Sequence, residues 1–184
     1  MRLFTALDLP DDIIGKLHGL LARLRPTAPI RWCTAATLHI TINFIGEWPE
    51  ERLEELKASL AASPGRAPIP VHIRDLGVFV NPNKPRIFWC GVDAPGLSEL
   101  AADMETAMAG LGIAREEREY KPHVTLGRIT EGGFDMTPLR TAVVAEPTFD
   151  FGRFEARSFF LYRSEARPVG SVYAKLAEFP LSHG

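Results

Sequence analysis

Two histidines in this 184-residue chain stand in the same short pattern, His-x-Thr, each inside an apolar run. The first occurrence, LHITINF, occupies residues 38–44. The second, PHVTLGR, occupies residues 122–128, about eighty residues later. Imidazole is the side chain best able to give or take a proton near neutral pH. Two such histidines facing one cleft could therefore act as an acid–base pair.

The His-x-Thr pattern is typical of a β-strand, because strand side chains point alternately to two faces. In the first stretch the predicted inward set is apolar and the outward set is polar: Leu38, Ile40, Ile42 and Phe44 against His39, Thr41 and Asn43. The same alternation turns Val124 and Leu126 inward and His123 and Thr125 outward. Each strand is thus predicted to present an imidazole beside a hydroxyl. Two such pairs around a phosphate are suited to metal-independent phosphodiester chemistry, with one histidine activating the incoming oxygen and the other protonating the leaving oxygen.

Other interpretations of the histidines are simpler. A single histidine on a strand is usually a surface or hydrogen-bonded residue, but a duplicated His-x-Thr is less easily accidental. A zinc site would need a third ligand at suitable spacing, which the sequence does not offer. His18, His72 and His183 are interpreted as ordinary structural or surface residues.

Composition and charge argue against a membrane-spanning or a secreted protein. The chain is 46% hydrophobic, has 21 Lys+Arg against 23 Asp+Glu, and contains no apolar run long enough to span a membrane. Its first residues lack the order of a signal peptide. Cys33 and Cys90 are interpreted as buried thiols in a reducing cytoplasm, with a Cys33–Cys90 bridge as the less favoured alternative.

Hydrophobic periodicity predicts alternating strands and helices. Helices are predicted over residues 11–25 and along the stripes that begin at Leu53 and Leu97; further strands are predicted over 2–6, 69–80, 86–92, 149–162 and 171–181. This order favours an α+β fold with a largely antiparallel sheet. It also suggests one domain over residues 1–184, built from two related halves that each bring one His-x-Thr strand.

The two motifs and their flanks resemble a known family. HITINFIG (39–46) with PHVTLGR (122–128) resembles the two-histidine phosphoesterase superfamily, and within it the RNA 2′,3′-cyclic phosphodiesterases, historically called 2′-5′ RNA ligases of the LigT type. The resemblance extends to RLFTALDLP (2–10), IRW (30–32) and FEARSFFLYRSE (154–165), so it covers most of the chain.

The resemblance implies a fold and a reaction. The fold would be bilobal, with two pseudo-symmetric α+β lobes and a central cleft. The enzyme would open a terminal 2′,3′-cyclic phosphate of RNA to a 2′-phosphate, without metal or other cofactor. The reverse reaction, attack by a 5′-hydroxyl, would make a 2′-5′ linkage. We expect a cytoplasmic monomer with RNA ends or small nucleotides as partners and no membrane association.

The same resemblance implies roles for five residues. His39 would donate a proton to the leaving 3′ oxygen, and His123 would be the base that activates water. Thr41 and Thr125 would hold the phosphate oxygens. Strict alternation points Arg128 away from His123, but a bulge at Gly127 could turn it back to contact phosphate or RNA. The alternative for Arg128 is a surface salt bridge. Phe44 is interpreted mainly as a core residue.

Two alternative functions remain open at this point. One is a phosphodiesterase for a small cyclic phosphate, such as a mononucleotide or an ADP-ribose derivative. The other is a nucleotide- or RNA-binding module without chemistry, which the two intact motifs argue against. The remaining basic residues are interpreted as solvated surface: Lys84, Arg86, Arg115, Arg118, Lys121, Arg157, Arg163 and Arg167. The small net charge predicts a shallow dependence of binding on salt.

Overall fold

A computed structural model describes residues 1–62, 66–80, 86–130 and 132–182. The helices in these ranges are α1 (Asp11–Leu24), α2 (Leu53–Ala61), α3 (Leu97–Ala109) and α4 (Thr137–Val144). The strands are β1 (Arg2–Leu7), β2 (Arg31–Trp32), β3 (Ile40–Glu47), β4 (Ile69–Phe79), β5 (Arg86–Asp93), β6 (His123–Ile129), β7 (Asp150–Ala156), β8 (Ser158–Arg167) and β9 (Gly170–Pro180). Short 3-10 helices cover Arg25–Thr27, Ala35–Thr37 and Glu50–Arg52.

All these strands form one antiparallel sheet in the order β7-β4-β5-β6-β3-β1-β8-β9, with β2 added beside β6. The two His-x-Thr strands, β3 and β6, are neighbours at the centre of the sheet, so each is the innermost strand of a group of four. We call β3, β1, β8 and β9 the His39 half, and β6, β5, β4 and β7 the His123 half. The predicted α+β class is confirmed, and the two expected lobes are the halves of a single sheet.

The halves meet along a narrow seam. Strand β3 pairs with β6 at one position only, Ile40 opposite Val124. Beyond that position β2 takes the place of β3, with Arg31 opposite Arg128 and Trp32 opposite Gly127. Because β3 leaves β6 after a single pair, the two halves diverge from the seam where the His-x-Thr segments lie.

Helices cover one face of the sheet and bury the core. Helix α3 packs on the His39 half, where the carbonyl of Ala101 accepts a hydrogen bond from the β3 residue Asn43. Helix α1 packs on the His123 half, with Ile13 against Gly152 of β7. The residues of α1 that point to the sheet are fully buried leucines and isoleucine, and each contributes about 1.5–3 kcal/mol. The opposite face of the sheet, which we call the open face, carries the two histidines.

Two predictions about secondary structure were wrong. The strand predicted over residues 149–162 is two strands, β7 and β8, which separate at Arg157. They belong to different halves, since Ala156 pairs with Ile69 of β4 and Tyr162 pairs with Phe4 of β1. No glycine or proline marks this break, so the strand pattern runs through it. Helix α4 was missed because the Gly132-Gly133 pair made the whole region resemble a turn; Pro138 in its first turn is compatible with a helix start.

Several smaller predictions concern single residues. Cys33 and Cys90 are free thiols; Cys90 is buried as expected, whereas Cys33 is only partly buried. His72 is buried and its Nε2 lies 3.0 Å from Asp150 Oδ1, which is a structural role. In the described ranges no helix is long and apolar enough to cross a membrane. The interpretations of His183 and Lys84 fall outside the described residues.

Candidate active site

His39 lies one residue before β3, and two hydrogen bonds hold its ring. Nδ1 is 2.7 Å from the carbonyl oxygen of Thr37, and Nε2 is 2.8 Å from Thr41 Oγ1. A carbonyl oxygen only accepts hydrogen bonds, so Nδ1 carries the proton of the neutral ring. The Thr41 hydroxyl therefore donates to Nε2, and Nε2 is the atom that can gain or lose a proton.

His123, the first residue of β6, repeats this backbone anchor. Its Nδ1 is 2.7 Å from the carbonyl oxygen of Lys121, again two residues earlier in the chain. The tautomer is therefore the same, with Nε2 as the titrating atom. Within the described part of the chain, Nε2 of His123 has no hydrogen-bond partner, and the Thr125 hydroxyl makes no bond to it. The ring instead meets the edge of Phe79, with centroids 4.9 Å apart.

The seam between the halves brings the two motifs together. Ile40 and Val124 form the single pair, and both side chains are fully buried on the helix side. Because strand side chains alternate, the residues on either side of this pair share the open face. In antiparallel register His39 then falls across from Thr125, and Thr41 falls across from His123. The His-x-Thr segments thus form one cluster of two imidazoles and two hydroxyls around a local two-fold axis.

A β-bulge follows the threonine in both motifs. In β3, Thr41 pairs with Ala6 and Asn43 with Thr5, so Ile42 is the extra residue. In β6, Thr125 pairs with Trp89 and Gly127 with Phe88, so Leu126 is the extra residue. An extra residue changes the phase of the alternation beyond it. The faces predicted for residues after the bulges are therefore reversed.

The bulge in β3 overturns the prediction for Phe44. Phe44 was expected in the core, but it is 65% exposed and pairs with Phe4, whose ring lies 5.0 Å from the His39 ring. Phe44 is therefore on the open face with the histidine. Asn43, expected beside His39, instead points to the helix side and donates its amide to the Ala101 carbonyl.

The equivalent bulge in β6 brings Arg128 to the open face. Leu126, Gly127 and Ile129 are buried, whereas Arg128 is exposed. The bulged residue is Leu126, and not Gly127 as expected. Gly127 is needed for another reason: a Cβ there would lie 2.9 Å from the Ile30 side chain. Arg128 and Phe44 occupy equivalent positions in the two halves.

Burial and charge shift the pKa of both imidazoles in the same direction. Desolvation lowers the pKa of His39 and of His123 below the usual value, and the positive charge of Arg128 lowers both further. The hydrogen bonds to Thr37 and Lys121 oppose this shift. Among the described residues, a carboxylate acts on His39 alone: Asp8 raises its pKa. Burial therefore favours the neutral form of both rings in the free protein, and His39 is the one whose protonated form a carboxylate stabilises.

A cavity of about 280 Å³ adjoins His39. Sequence reasoning missed the residues that line it, including Phe4, Asp8, Tyr162, Tyr173 and Lys175. Asp8 is held there by the Tyr162 hydroxyl at 2.5 Å and by Lys175 Nζ at 2.6 Å. Only the strand pairings bring these residues together, since they come from the two ends of the chain. A larger groove of about 450 Å³ lies between α2 and the ends of β8 and β9, and neither histidine lines it.

The wall beside His123 is also aromatic but has no carboxylate of this kind. Phe79 contacts both the His123 ring and the Trp89 ring, at 4.9 and 5.1 Å between centroids. The Trp89 indole lies over Gly77, where any side chain would overlap it. The position of Phe79 against His123 thus depends on the absence of a side chain at Gly77.

No group of three or more His, Cys, Asp or Glu residues in the described ranges is placed to hold a metal ion. The expectation that the reaction needs no metal stays a prediction.

Comparison with known proteins gives a consistent assignment. The family described as LigT like Phosphoesterase matches residues 7–89 and 92–173, and each stretch contains one His-x-Thr motif. The RNA 2′,3′-cyclic phosphodiesterase of Methanocaldococcus jannaschii is 32% identical over 97% of this chain and 100% of its own length. That of Archaeoglobus fulgidus is 32% identical over 97% of this chain and 99% of its own.

Solved structures show the same fold. A Thermus thermophilus crystal structure superposes with a TM-score of 0.81 at 30% identity, covering 98% of both chains. Escherichia coli LigT complexed with 3′-AMP gives a TM-score of 0.80 at 26% identity, covering 99% of this chain and 98% of the other.

Proposed function

The chain belongs to the LigT-like phosphoesterase family, and from this premise we propose that it is an RNA 2′,3′-cyclic phosphodiesterase. Its relatives of 32% identity carry that name, and they match along nearly their whole length. The proposed substrate is an RNA end that carries a 2′,3′-cyclic phosphate. The proposed product carries a 2′-phosphate and a free 3′-hydroxyl.

The observation that supports this proposal best is the cluster at the seam. Two imidazoles with identical tautomers and two hydroxyls share one face around the Ile40–Val124 pair. A cyclic phosphate has two non-bridging oxygens, which match two hydroxyl donors on opposite sides. Hydrolysis needs one proton removed and one delivered on opposite sides of phosphorus, which matches two imidazoles related by a two-fold axis.

The proposed reaction is a single in-line displacement. Nε2 of His123 takes a proton from water as the water oxygen forms a bond to phosphorus. The bond between phosphorus and the 3′ oxygen breaks, and Nε2–H of His39 gives its proton to that oxygen. Thr41 and Thr125 donate to the non-bridging oxygens, and the guanidinium of Arg128 offsets the negative charge that develops there.

Asp8 supports the assignment of His39 as the acid. The acid must be protonated when the reaction begins, although burial lowers the pKa of both histidines. Asp8 raises the pKa of His39, and the incoming phosphate anion would raise it further. Arg128 lowers the pKa of both rings, and at His123 no carboxylate of the described residues opposes it, which favours a neutral ring ready to accept a proton.

The exposed ring of Phe44 supports a substrate with a nucleobase. Phe44 lies on the open face, and a base stacked on an aromatic ring contributes about 1–3 kcal/mol to binding. A short RNA end offers such a base next to its cyclic phosphate.

The test is the product formed from a short RNA with a terminal 2′,3′-cyclic phosphate, incubated with a chelator. We expect a 2′-phosphate end, formed by the wild type and by neither His39→Ala nor His123→Ala. Turnover of a cyclic mononucleotide without turnover of RNA would favour the small-substrate alternative. Binding without turnover of either would leave a nucleotide-binding module. Loss of turnover in the chelator would contradict the metal-free mechanism.

A further inference from the structure

Arg31 stands directly beside Arg128 on the open face. The two are cross-strand partners in the pairing of β2 with β6, and both are exposed. Paired residues of an antiparallel ladder point to the same face, with Cβ atoms about 4.5–5.5 Å apart. The neighbouring pair agrees with this orientation. Trp32, opposite Gly127, points to the helix side of the sheet, where its ring packs on Phe88.

This arrangement places two positively charged side chains directly opposite each other. Like charges directly opposite each other destabilise a sheet. Some arginines of the chain have a carboxylate partner, as Arg23 has Glu146 and Arg163 has Glu165, whereas Arg2 and Arg153 have none in the described ranges. In the described ranges neither Arg31 nor Arg128 has a carboxylate within ion-pair distance. A pair of guanidinium groups without carboxylates is the composition of a site for phosphate oxygens.

The two arginines differ in their distance from the reaction centre. The charge of Arg128 acts on both His39 and His123, whereas Arg31 is not among the charges that act on either ring. Arg128 is therefore the one of the two arginines whose charge reaches the imidazoles. Arg31 lies on β2, beside Arg128 and on the side of β6 opposite β5, and we treat an anion bound to it as a second one.

We propose that Arg31 binds a second phosphate of the substrate, the phosphodiester that joins the reacting nucleotide to the rest of the RNA. This inference rests on the proposed function and adds a specificity-determining residue to it. A cyclic mononucleotide has no such phosphodiester, so Arg31 gives no advantage to that substrate. Arg31 thereby selects RNA ends over cyclic mononucleotides, while Arg128 serves both.

The test compares Arg31→Gln with the wild type on three substrates. These are a dinucleotide with a terminal 2′,3′-cyclic phosphate, the same dinucleotide with a neutral methylphosphonate linkage, and a cyclic mononucleotide. We expect kcat/KM to fall about tenfold for the charged dinucleotide and to stay unchanged for the other two, because a charge-assisted contact is lost only there. Arg31→Lys should recover part of the loss.

The control variant is Arg153→Gln, which makes the same change of charge at an exposed position of β7, the outermost strand of the His123 half. It should leave all three substrates unaffected. Equal losses on all three substrates in Arg31→Gln would place Arg31 at the reacting phosphate or in the fold, and no loss on any would make it solvated surface. Either result overturns the proposal.

A binding measurement separates this inference from the proposed function. The probe is a dinucleotide that ends in a 2′-phosphate, titrated at several salt concentrations. Binding of this probe should be about tenfold weaker in Arg31→Gln, and its dependence on salt should decrease by about one phosphate contact. If the wild type opens no cyclic phosphate, the proposed function fails, whereas an unchanged salt dependence in Arg31→Gln contradicts the second phosphate site itself.

Discussion

The His39 half and the His123 half anchor their imidazoles identically at Nδ1 and surround them differently at Nε2. In both halves the ring donates to the carbonyl two residues earlier, and a bulge follows the threonine. In the His39 half, Nε2 is already bonded to Thr41, and a cavity containing Asp8 adjoins the ring. In the His123 half, Nε2 has no hydrogen-bond partner among the described residues, and the ring packs perpendicular to the ring of Phe79.

One nearly symmetric sheet can thus give its two histidines different catalytic roles. The backbone gives both histidines the same tautomer, so either could act as acid or base. The surrounding side chains make the two imidazoles unequal, because a carboxylate favours the protonated form of His39, whereas none of the described carboxylates acts on His123. The division of roles therefore depends on residues outside the His-x-Thr motifs.

The largest expected effects come from removing each imidazole. His39→Ala and His123→Ala should each lower kcat by about 10²–10⁴-fold, with folding retained, because both rings lie on the open face. A substrate with sulfur in place of the 3′ oxygen distinguishes the two roles, since a thiolate leaves without needing protonation. We expect this substrate to restore activity to His39→Ala and not to His123→Ala. Restoration of His123→Ala instead would exchange the assigned roles; His18→Ala serves as the surface control.

Gly77→Ala should have a smaller effect, confined to the His123 half. The new methyl group would overlap the Trp89 indole, which must move and take Phe79 with it. Overpacking of this kind typically costs about 1–3 kcal/mol of stability. Because Phe79 holds the His123 ring, kcat should fall while the pKa of His39 stays unchanged. Thermal unfolding and an NMR titration of both histidines measure the two parts, and an equal change at both rings would contradict the one-sided coupling.

The pH dependence tests the difference in charge between the halves. Burial lowers the pKa of both histidines, so the profile of kcat/KM should be a bell whose maximum is shifted to the acidic side of the usual histidine pKa. Asp8→Asn removes the charge that raises the pKa of His39, so that pKa should fall further. The His123 pKa should not change. An NMR titration of the free protein measures both, and equal shifts at both histidines would show that Asp8 does not distinguish them.

The sequence was informative where a pattern is local. Periodicity located helix α1 and the strands β1, β4 and β5 to within one or two residues. It also predicted that Ile40, Val124 and Leu126 would be buried, as they are. The duplicated His-x-Thr indicated the two central strands, because chemistry there requires side chains spaced by the strand period.

The errors arose where structure depends on distant partners. The bulges at Ile42 and Leu126 are visible only in the pairings with β1 and β5, so simple alternation misplaced Asn43 and Phe44. The break between β7 and β8 is set by which half each strand joins. The cavity beside His39 combines Asp8 with Tyr162 and Lys175 from the far end of the chain. Local patterns contain no information about such register.

The smallest expected difference lies between the two threonines. The Thr41 hydroxyl already donates to His39 Nε2, so it must break that bond to donate to a phosphate oxygen. The Thr125 hydroxyl makes no such bond to His123 in the described residues, so its donation to phosphate has no equivalent cost. Thr125→Val should therefore weaken binding of a 2′-phosphate product by a few-fold more than Thr41→Val. Calorimetric titration of the product measures both, with Thr→Ser variants as controls that keep the hydroxyl. A greater loss in Thr41→Val would mean that the bond to His39 prepares the hydroxyl for phosphate and does not compete with it.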